Sequence, residues 1–427
     1  MTVKLGLKSP EENIQSQLCE VARKIAKSRK IVTVTGAGIS CNAGIPDFRS
    51  KKGLYNLVKE KYPDAVIRGK DLFDTLLFSD PRTIAVFFSF MAALRKSMVE
   101  ARPTPTHAFI RHLKDKGRLL RCYTQNIDGL EAREGLNLSM DQSKNIKDVD
   151  VIQLHGDIHQ LKCTQCCRSY SWEAEHEQLL FQGEPPSCPA CTDEQEKREK
   201  AGKRFTGIGC LRPNILLYGE EHPESELIGQ CSIKDIKASP DCLIIFGTSL
   251  KVLGARKLVK AVAKAVKQKG GIIIFVNASG LSQSTWEHVI DFHIEADCDE
   301  WVTSLRKIIP DFFKIQAKLP KYQIAKSVGN AKTAKVQQPI ISPPSTPRKL
   351  HKMTSITLGK ENCGRFNPLS IKALLNSPTS PRRSPRLARM LDESKYISEP
   401  IPFKLNKIQV SQRQVLAPIT NNMSALL

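Results

Sequence analysis

Ile31-Val32-Thr33-Val34-Thr35 is β-branched at every position and stops at Gly36-Ala37-Gly38-Ile39-Ser40. Such a run suits a strand covered on both faces, as in a parallel sheet. A turn of glycine and alanine can take positive φ or lie bare against a ligand. Amides leaving it, helped by the dipole of a following helix, point at phosphate. The same pattern recurs along the chain. Leu119–Thr124, Val151–Leu154, Pro213–Tyr218, Asp241–Phe246 and Gly271–Val276 read as further strands. Several end in polar clusters: Gln125-Asn126-Ile127-Asp128, His155-Gly156, Gly247-Thr248-Ser249 and Asn277. Between strands the apolar period becomes helical. Ile14, Leu18, Val21 and Ile25 form one face of a helix started by Ser9, Pro10 and Glu12, and 255–268 reads as another helix. The expected fold is α/β, a doubly wound, parallel, Rossmann-like sheet.

Ligands of open α/β sheets gather at the carboxyl ends of strands, which singles out His155. An imidazole near its reference value of about 6.5 can take a proton at neutral pH. A lone histidine is more often structural; the strand end and the following glycine favour the base. His107, at the start of a helix after Pro105, reads as structural, and His159 as solvent-exposed or structural. Thr248 and Ser249 carry short hydroxyls suited to phosphate. The glycine loop has Cys41 where dehydrogenases carry a third glycine, and 51–59 holds no carboxylate. Both points weigh against hydride transfer.

Cys163-x-x-Cys166 and Cys188-x-x-Cys191 have the spacing of a closed, structural four-thiolate zinc site, with a redox pair or unbound thiols as the competing readings. Cys167, directly after a ligand, could compete for the metal. Residues 51–100 read as helical, started in part by Asp80-Pro81, with Phe73, Leu76, Leu77, Phe87, Phe88 and Met91 packing over the site.

Of 65 Lys+Arg and 43 Asp+Glu, residues 316–427 hold 19 and 4, a net of +15; the remaining 46 and 39 leave +7 for residues 1–315. The tail is rich in proline, serine and lysine without apolar period, so disorder is expected. Its charge suits solvation of the tail or proximity to nucleic acid and chromatin. Thr346-Pro347, Ser377-Pro378, Ser380-Pro381 and Ser384-Pro385 are sites for a proline-directed kinase, whose phosphate would subtract charge from the basic 382–389 patch. No signal peptide or membrane span is evident, so no membrane is expected. Thirteen cysteines without secretion signals suggest a reducing compartment.

Together the glycine loop, Gly44-Ile45-Pro46-Asp47-Phe48-Arg49-Ser50, Gln125–Asp128, His155-Gly156 and the cysteine pairs closely resemble the sirtuins, NAD-dependent protein-lysine deacylases, over about residues 15–310. The resemblance implies NAD as co-substrate and one structural zinc on Cys163, Cys166, Cys188 and Cys191. It implies His155 as base on the NAD ribose, with Asn126 and Asp128 catalytic beside it. Gln125 and Asn126 would hold the nicotinamide ribose, while Ile127 and Asp128 line the nicotinamide pocket. Gly36, Ala37, Gly38, Ile39, Asp47, Phe48, Arg49, Gly247, Thr248, Ser249, Asn277 and Cys298 would complete the cofactor site. Ala296-Asp297-Cys298-Asp299 resembles the adenine-contacting turn. Ile215, Tyr218, Gly219 and Glu220 would bind substrate as an added strand, with Tyr218 where phenylalanine is usual.

The implied organisation is a Rossmann-like domain (1–50, 101–160, 207–315), a helical cofactor-loop insert (51–100), a zinc-ribbon module (161–206) and a regulatory tail (316–427). The 51–74 insert is most similar to fungal nuclear sirtuins acting on histone H3. The expected function is NAD-dependent deacetylation of an acetylated histone H3 tail or core lysine in the nucleus. It would release nicotinamide, O-acetyl-ADP-ribose and free lysine, and would serve chromatin silencing and genome maintenance. A mono-ADP-ribosyltransferase on the same scaffold and a chromatin-binding module with a vestigial site are the alternatives.

Overall fold

A computed structural model describes residues 2–63, 68–138, 146–281 and 283–314. In chain order the first elements are β1 (Val3–Gly6), α1 (Glu12–Lys27), β2 (Ile31–Thr35), α2 (Leu54–Lys61), α3 (Pro81–Glu100), α4 (Pro105–Asp115), β3 (Leu119–Thr124), α5 (Leu130–Arg133) and β4 (Val151–Gln153). Then come β5 (Gly156–Cys163), β6 (Ser169–Ser171), α6 (Ala174–Phe181), α7 (Pro189–Lys200) and β7 (Leu211–Ile215). The chain continues through α8 (Ser225–Lys237), β8 (Cys242–Phe246), α9 (Leu253–Gln268), β9 (Ile272–Val276), α10 (Gln283–Trp286), β10 (Phe292–Glu295), α11 (Cys298–Ile308) and α12 (Pro310–Phe313).

Seven strands form a parallel sheet in the order β1-β10-β9-β8-β2-β3-β4. Its central strands alternate between two cores with period two. Ile31, Ile244 and Ile274 face α1, α4 and α11, where they meet Leu18, Phe109 and Trp301. Val32, Val34, Ile245 and Ile273 face the other way, against Cys231 of α8 and Val259, Val262 and Val266 of α9. Every residue of β2, β8 and β9 is buried, at roughly 1.5–3 kcal/mol for each large side chain. The sheet is therefore doubly wound.

A second sheet, β6-β5-β7, is antiparallel. Its Ile158, Leu161 and Leu211 share a core with Phe87, Phe88 and Met91 of α3. Asp80 starts α3 as expected, its side chain accepting from Arg82 N with Pro81 at the first turn.

Four local expectations need correction. The helix expected at Ser9 starts at Glu12, and Ser9 makes no cap on it. The chain has just left β1, and Ser9 N donates to Gly6 O in a turn instead. No regular helix follows the glycine loop: 3-10 turns at Ala37–Ile39 and Cys41–Ala43 take its place. Pro213–Tyr218 does not resume the large sheet, because Leu211–Ile215 pairs with β5. Leu76 does not pack over the site; it is 75% exposed while Leu77 beside it is buried, as the 3-10 turn at Thr75–Ser79 directs them apart. The edge strand β1 and its neighbour β10, four residues each, escape notice in the sequence because they are short and partly exposed. No helix among the described residues is long and apolar enough to cross a membrane. The basic tail and its Ser/Thr-Pro sites lie outside the described residues.

Candidate active site

The carboxyl ends of β2, β3, β4 and β8 meet at one place. The loops after β2 and β8 touch: Gly38 N donates to Gly247 O at 2.8 Å, and a Cβ on Gly38 would lie 2.7 Å from Gly247 Cα. Gly36 is equally close to Thr248, while positive φ falls to Gly247 at 58° and Gly44 at 86°. The two glycines thus serve the approach of a neighbouring loop, and neither takes positive φ.

His155 follows β4, and its Nδ1 lies 2.9 Å from the carbonyl of Gln125. A carbonyl only accepts, so Nδ1 carries the proton and Nε2 keeps a free lone pair. Burial, and more weakly Arg49, push the imidazole below its ordinary value, against the pull of that carbonyl. His155 therefore stays a neutral base to lower pH than a free histidine.

The other strand-end residues lock one another. Gln125 Nε2 donates to Thr248 Oγ1 (2.9 Å) and Thr35 O (3.2 Å). Asn126 Nδ2 donates to Ser40 Oγ (3.1 Å), which donates to Asp128 Oδ2 (2.8 Å). Leu130 N donates to Asp128 Oδ1 (3.0 Å), and Ile127 is buried beside it. His159 Nε2 lies 2.8 Å from Asp128 O, a structural bond. Ser40 stands inside the glycine string, yet its role as the link between Asn126 and Asp128 depends on contact across 86 residues.

Asp47 accepts from Arg49 N and Ser50 N, both at 2.7 Å, and so shapes its own loop. Phe48 packs edge-on against Tyr55 and Phe73. Arg49 Nη2 donates to Tyr218 Oη at 3.0 Å, and the Tyr55 and Tyr218 hydroxyls are 3.1 Å apart. Tyr218 thereby ties the loop to the 211–220 segment. Tyr218 N donates to Phe73 O, and Thr75 N to Tyr218 O. Glu220 receives Leu217 N (2.9 Å) and Arg212 Nη2 (2.6 Å), Gly219 turns at φ 90°, and Ile215 is buried.

At the far end Asn277 Nδ2 holds Ser279, and Cys298 is buried behind Asp297, which caps α11. His222, in a polar stretch between β7 and α8, carries no local motif that marks it. Burial first and His155 second push it down to about 4, so a second neutral imidazole adjoins the first.

Beside the antiparallel sheet the sulfurs of Cys163 and Cys191 are 3.7 Å apart and those of Cys166 and Cys188 3.6 Å, all four forming one cluster. Zn–S bonds of about 2.3 Å in a tetrahedron give sulfur separations of roughly 3.8 Å, so the donors fit zinc. Gln165 N and Cys166 N point at Cys163 Sγ (3.3 and 3.4 Å), as amides do toward a thiolate. The four positions are filled by protein, and the site is structural.

A family profile described as "Sir2 family" matches residues 36–254. The chain is 48% identical over 337 residues to the NAD-dependent histone deacetylase HST3 of Candida albicans, covering 77% of this chain and 69% of that protein. It is 46% identical over 357 residues to HST3 of Saccharomyces cerevisiae, covering 80% and 79%. Among solved structures, a Sir2 homolog–NAD complex aligns with TM-score 0.51 and 27% identity, over 69% of this chain and 94% of that one.

Proposed function

The chain belongs to the Sir2 family, and from that premise we propose that it is an NAD-dependent histone deacetylase that works in the nucleus on acetylated lysine of histone H3. The observation that carries the mechanism is the orientation of His155: Nδ1–H is spent on Gln125 O, and Nε2 is left as the base. NAD, when bound, supplies the ADP-ribose that accepts the acetyl group, releasing nicotinamide, O-acetyl-ADP-ribose and free lysine.

The chain's own residues would divide the remaining work. His155 Nε2 takes a hydroxyl proton at the reacting centre, a contribution of roughly 10²–10⁴-fold. Asp128, fixed by Ser40 and Leu130, accepts the carboxamide N–H bonds of nicotinamide. Phe48 shields the centre from water, and Arg49 closes the loop through Tyr218. Gly36, Ala37, Gly38, Ile39, Gly247, Thr248 and Ser249 offer backbone and short hydroxyls to phosphate; Asn277 and Cys298 serve the adenosine end. Ile215, Tyr218, Gly219 and Glu220 line the acyl-lysine groove. The zinc braces the small sheet and takes no part in the chemistry. The basic tail is a site for a proline-directed kinase and for contact with chromatin.

The test is His155→Ala. It is expected to keep fold and zinc and to lose NAD-dependent deacetylation of acetylated H3 by at least about 10²-fold. Turnover near wild type would remove His155 from its role.

A further inference from the structure

Behind Asp128 lies a cluster that the mechanism above leaves unused. His107, Asp128 and Glu131 each place one polar atom within 4.8 Å of the other two, and all three residues are buried. Glu131 is 0% exposed, and no well-formed hydrogen bond from a donor group reaches either of its carboxyl oxygens; His107, also 0% exposed, leaves Nε2 equally unmet. Three orphaned polar atoms beside one another are destabilising unless they satisfy each other.

The protons can be assigned from the surrounding donors. Thr104 N donates to His107 Nδ1 at 3.1 Å, and a backbone amide can only donate. The neutral imidazole therefore carries its proton on Nε2. Both Asp128 oxygens receive well-formed donors, from Ser40 and Leu130, whereas Glu131 has only the weaker reach of the Thr124 hydroxyl and its own amide. Hydrogen bonds to the charged form favour charge, so the negative charge belongs on Asp128 and the proton on Glu131.

We propose that Glu131 is held as a neutral acid sharing its proton with Asp128, that His107 Nε2–H donates into the pair, and that Glu131 and His107 thereby position the Asp128 carboxylate for nicotinamide. The positioning role rests on the functional reading above; the protonation state does not. Burial first and the charge of Asp128 second push the Glu131 carboxyl up to about 8, against a weaker opposing pull from Thr124. Asp157 of β5 adds to the push, the buried Cys122 of β3 stays a neutral thiol beside it, and burial holds His107 neutral against Asp128 and Asp299. Above about pH 8 Glu131 ionises, two carboxylates face each other, and Asp128 loses its aim.

Two measurements on the full chain test this. The first is product inhibition by nicotinamide across pH 6.5–9.5. In wild type its potency should fall about tenfold per pH unit above the ionisation. In Glu131→Gln, an isostere of the neutral acid, it should stay flat, within about twofold of the wild-type value at pH 7. Parallel profiles would overturn the proposal. The second, independent of catalysis and of whether the variant folds, is infrared spectroscopy of wild type carrying ¹³C-glutamate. A protonated-carboxyl band at pH 7 that vanishes above about pH 8 is expected, and its absence at pH 7 overturns the proposal. Metal analysis finding a second equivalent beyond the one zinc, lost in Glu131→Gln, would also overturn it by making the cluster a metal site. Wild type without NAD-dependent deacetylation would instead defeat the functional reading, with the infrared band still deciding the protonation state.

Discussion

Gly38 shows how one missing carbon controls the site. Its alanine variant would place Cβ 2.7 Å from Gly247 Cα and 2.9 Å from Gly247 O, both backbone atoms that cannot swing aside. Gly38→Ala is therefore expected to cost roughly 1–3 kcal/mol in denaturant unfolding and to weaken NAD binding, since the loops after β2 and β8 must part. His155 shows the converse, a residue type readable in the sequence whose chemistry is set by one carbonyl. Glu131 was unreadable there: in Leu130-Glu131-Ala132-Arg133 it passes for an ordinary surface helix residue. Only α5 turning inward against α4 and β3 makes it a fully buried acid.

Two elements carry testable weight. α8 is pinned to β3 by a buried ion pair, with Arg121 Nε 2.9 Å and Nη2 3.1 Å from the Asp235 carboxylate, which also accepts from Tyr123 Oη at 2.6 Å. Both partners are about 5% exposed or less. Asp235→Ala leaves a buried guanidinium unpaired and is expected to cost about 3–5 kcal/mol, measured by urea unfolding. The small sheet depends on its metal in the same way. Cys188 begins α7, and its sulfur also meets Tyr170 Oη at 3.2 Å. Cys188→Ser should lower zinc content and loosen β5, β6 and α7, while the buried strands of the large sheet keep their hydrogen-exchange protection. One retained zinc per chain with unchanged melting would contradict this.

Across the molecule, histidines partly or wholly withdrawn from water set the acid limit of stability. His107, His155, His222 and His293 all lie below their ordinary value, in each case chiefly through burial, and His222 reaches about 4. In the unfolded chain they protonate near 6.5, so their contribution is present above that value and is lost as pH falls through it toward 4. Glu131 runs the other way. Its folded value is raised, so its contribution is present at low pH and is lost as pH rises from about 4.5 to about 8. The free energy of unfolding should therefore fall steeply from pH 6.5 to pH 4. Glu131→Gln should leave that acid limb intact while raising stability relative to wild type at pH 8.5.

The parallel architecture was legible because β8 and β9 are continuous apolar runs and β2 is β-branched at every position, sequences suited to strands covered on both faces. The zinc ligands were legible because metal geometry demands short, regular spacing. Strand-end position likewise marked His155, Asn126 and Asp128, since a doubly wound sheet has only one rim where polar ends converge. Other features belonged to tertiary structure alone: β7 pairing with β5, Leu76 turned to solvent, Ser40 bridging Asn126 to Asp128, and Glu131 shut in with His107. Periodicity and spacing record which residues must be buried or must share a ligand. Which strand a short segment joins, and where a proton rests, depend on contacts between residues far apart in the chain.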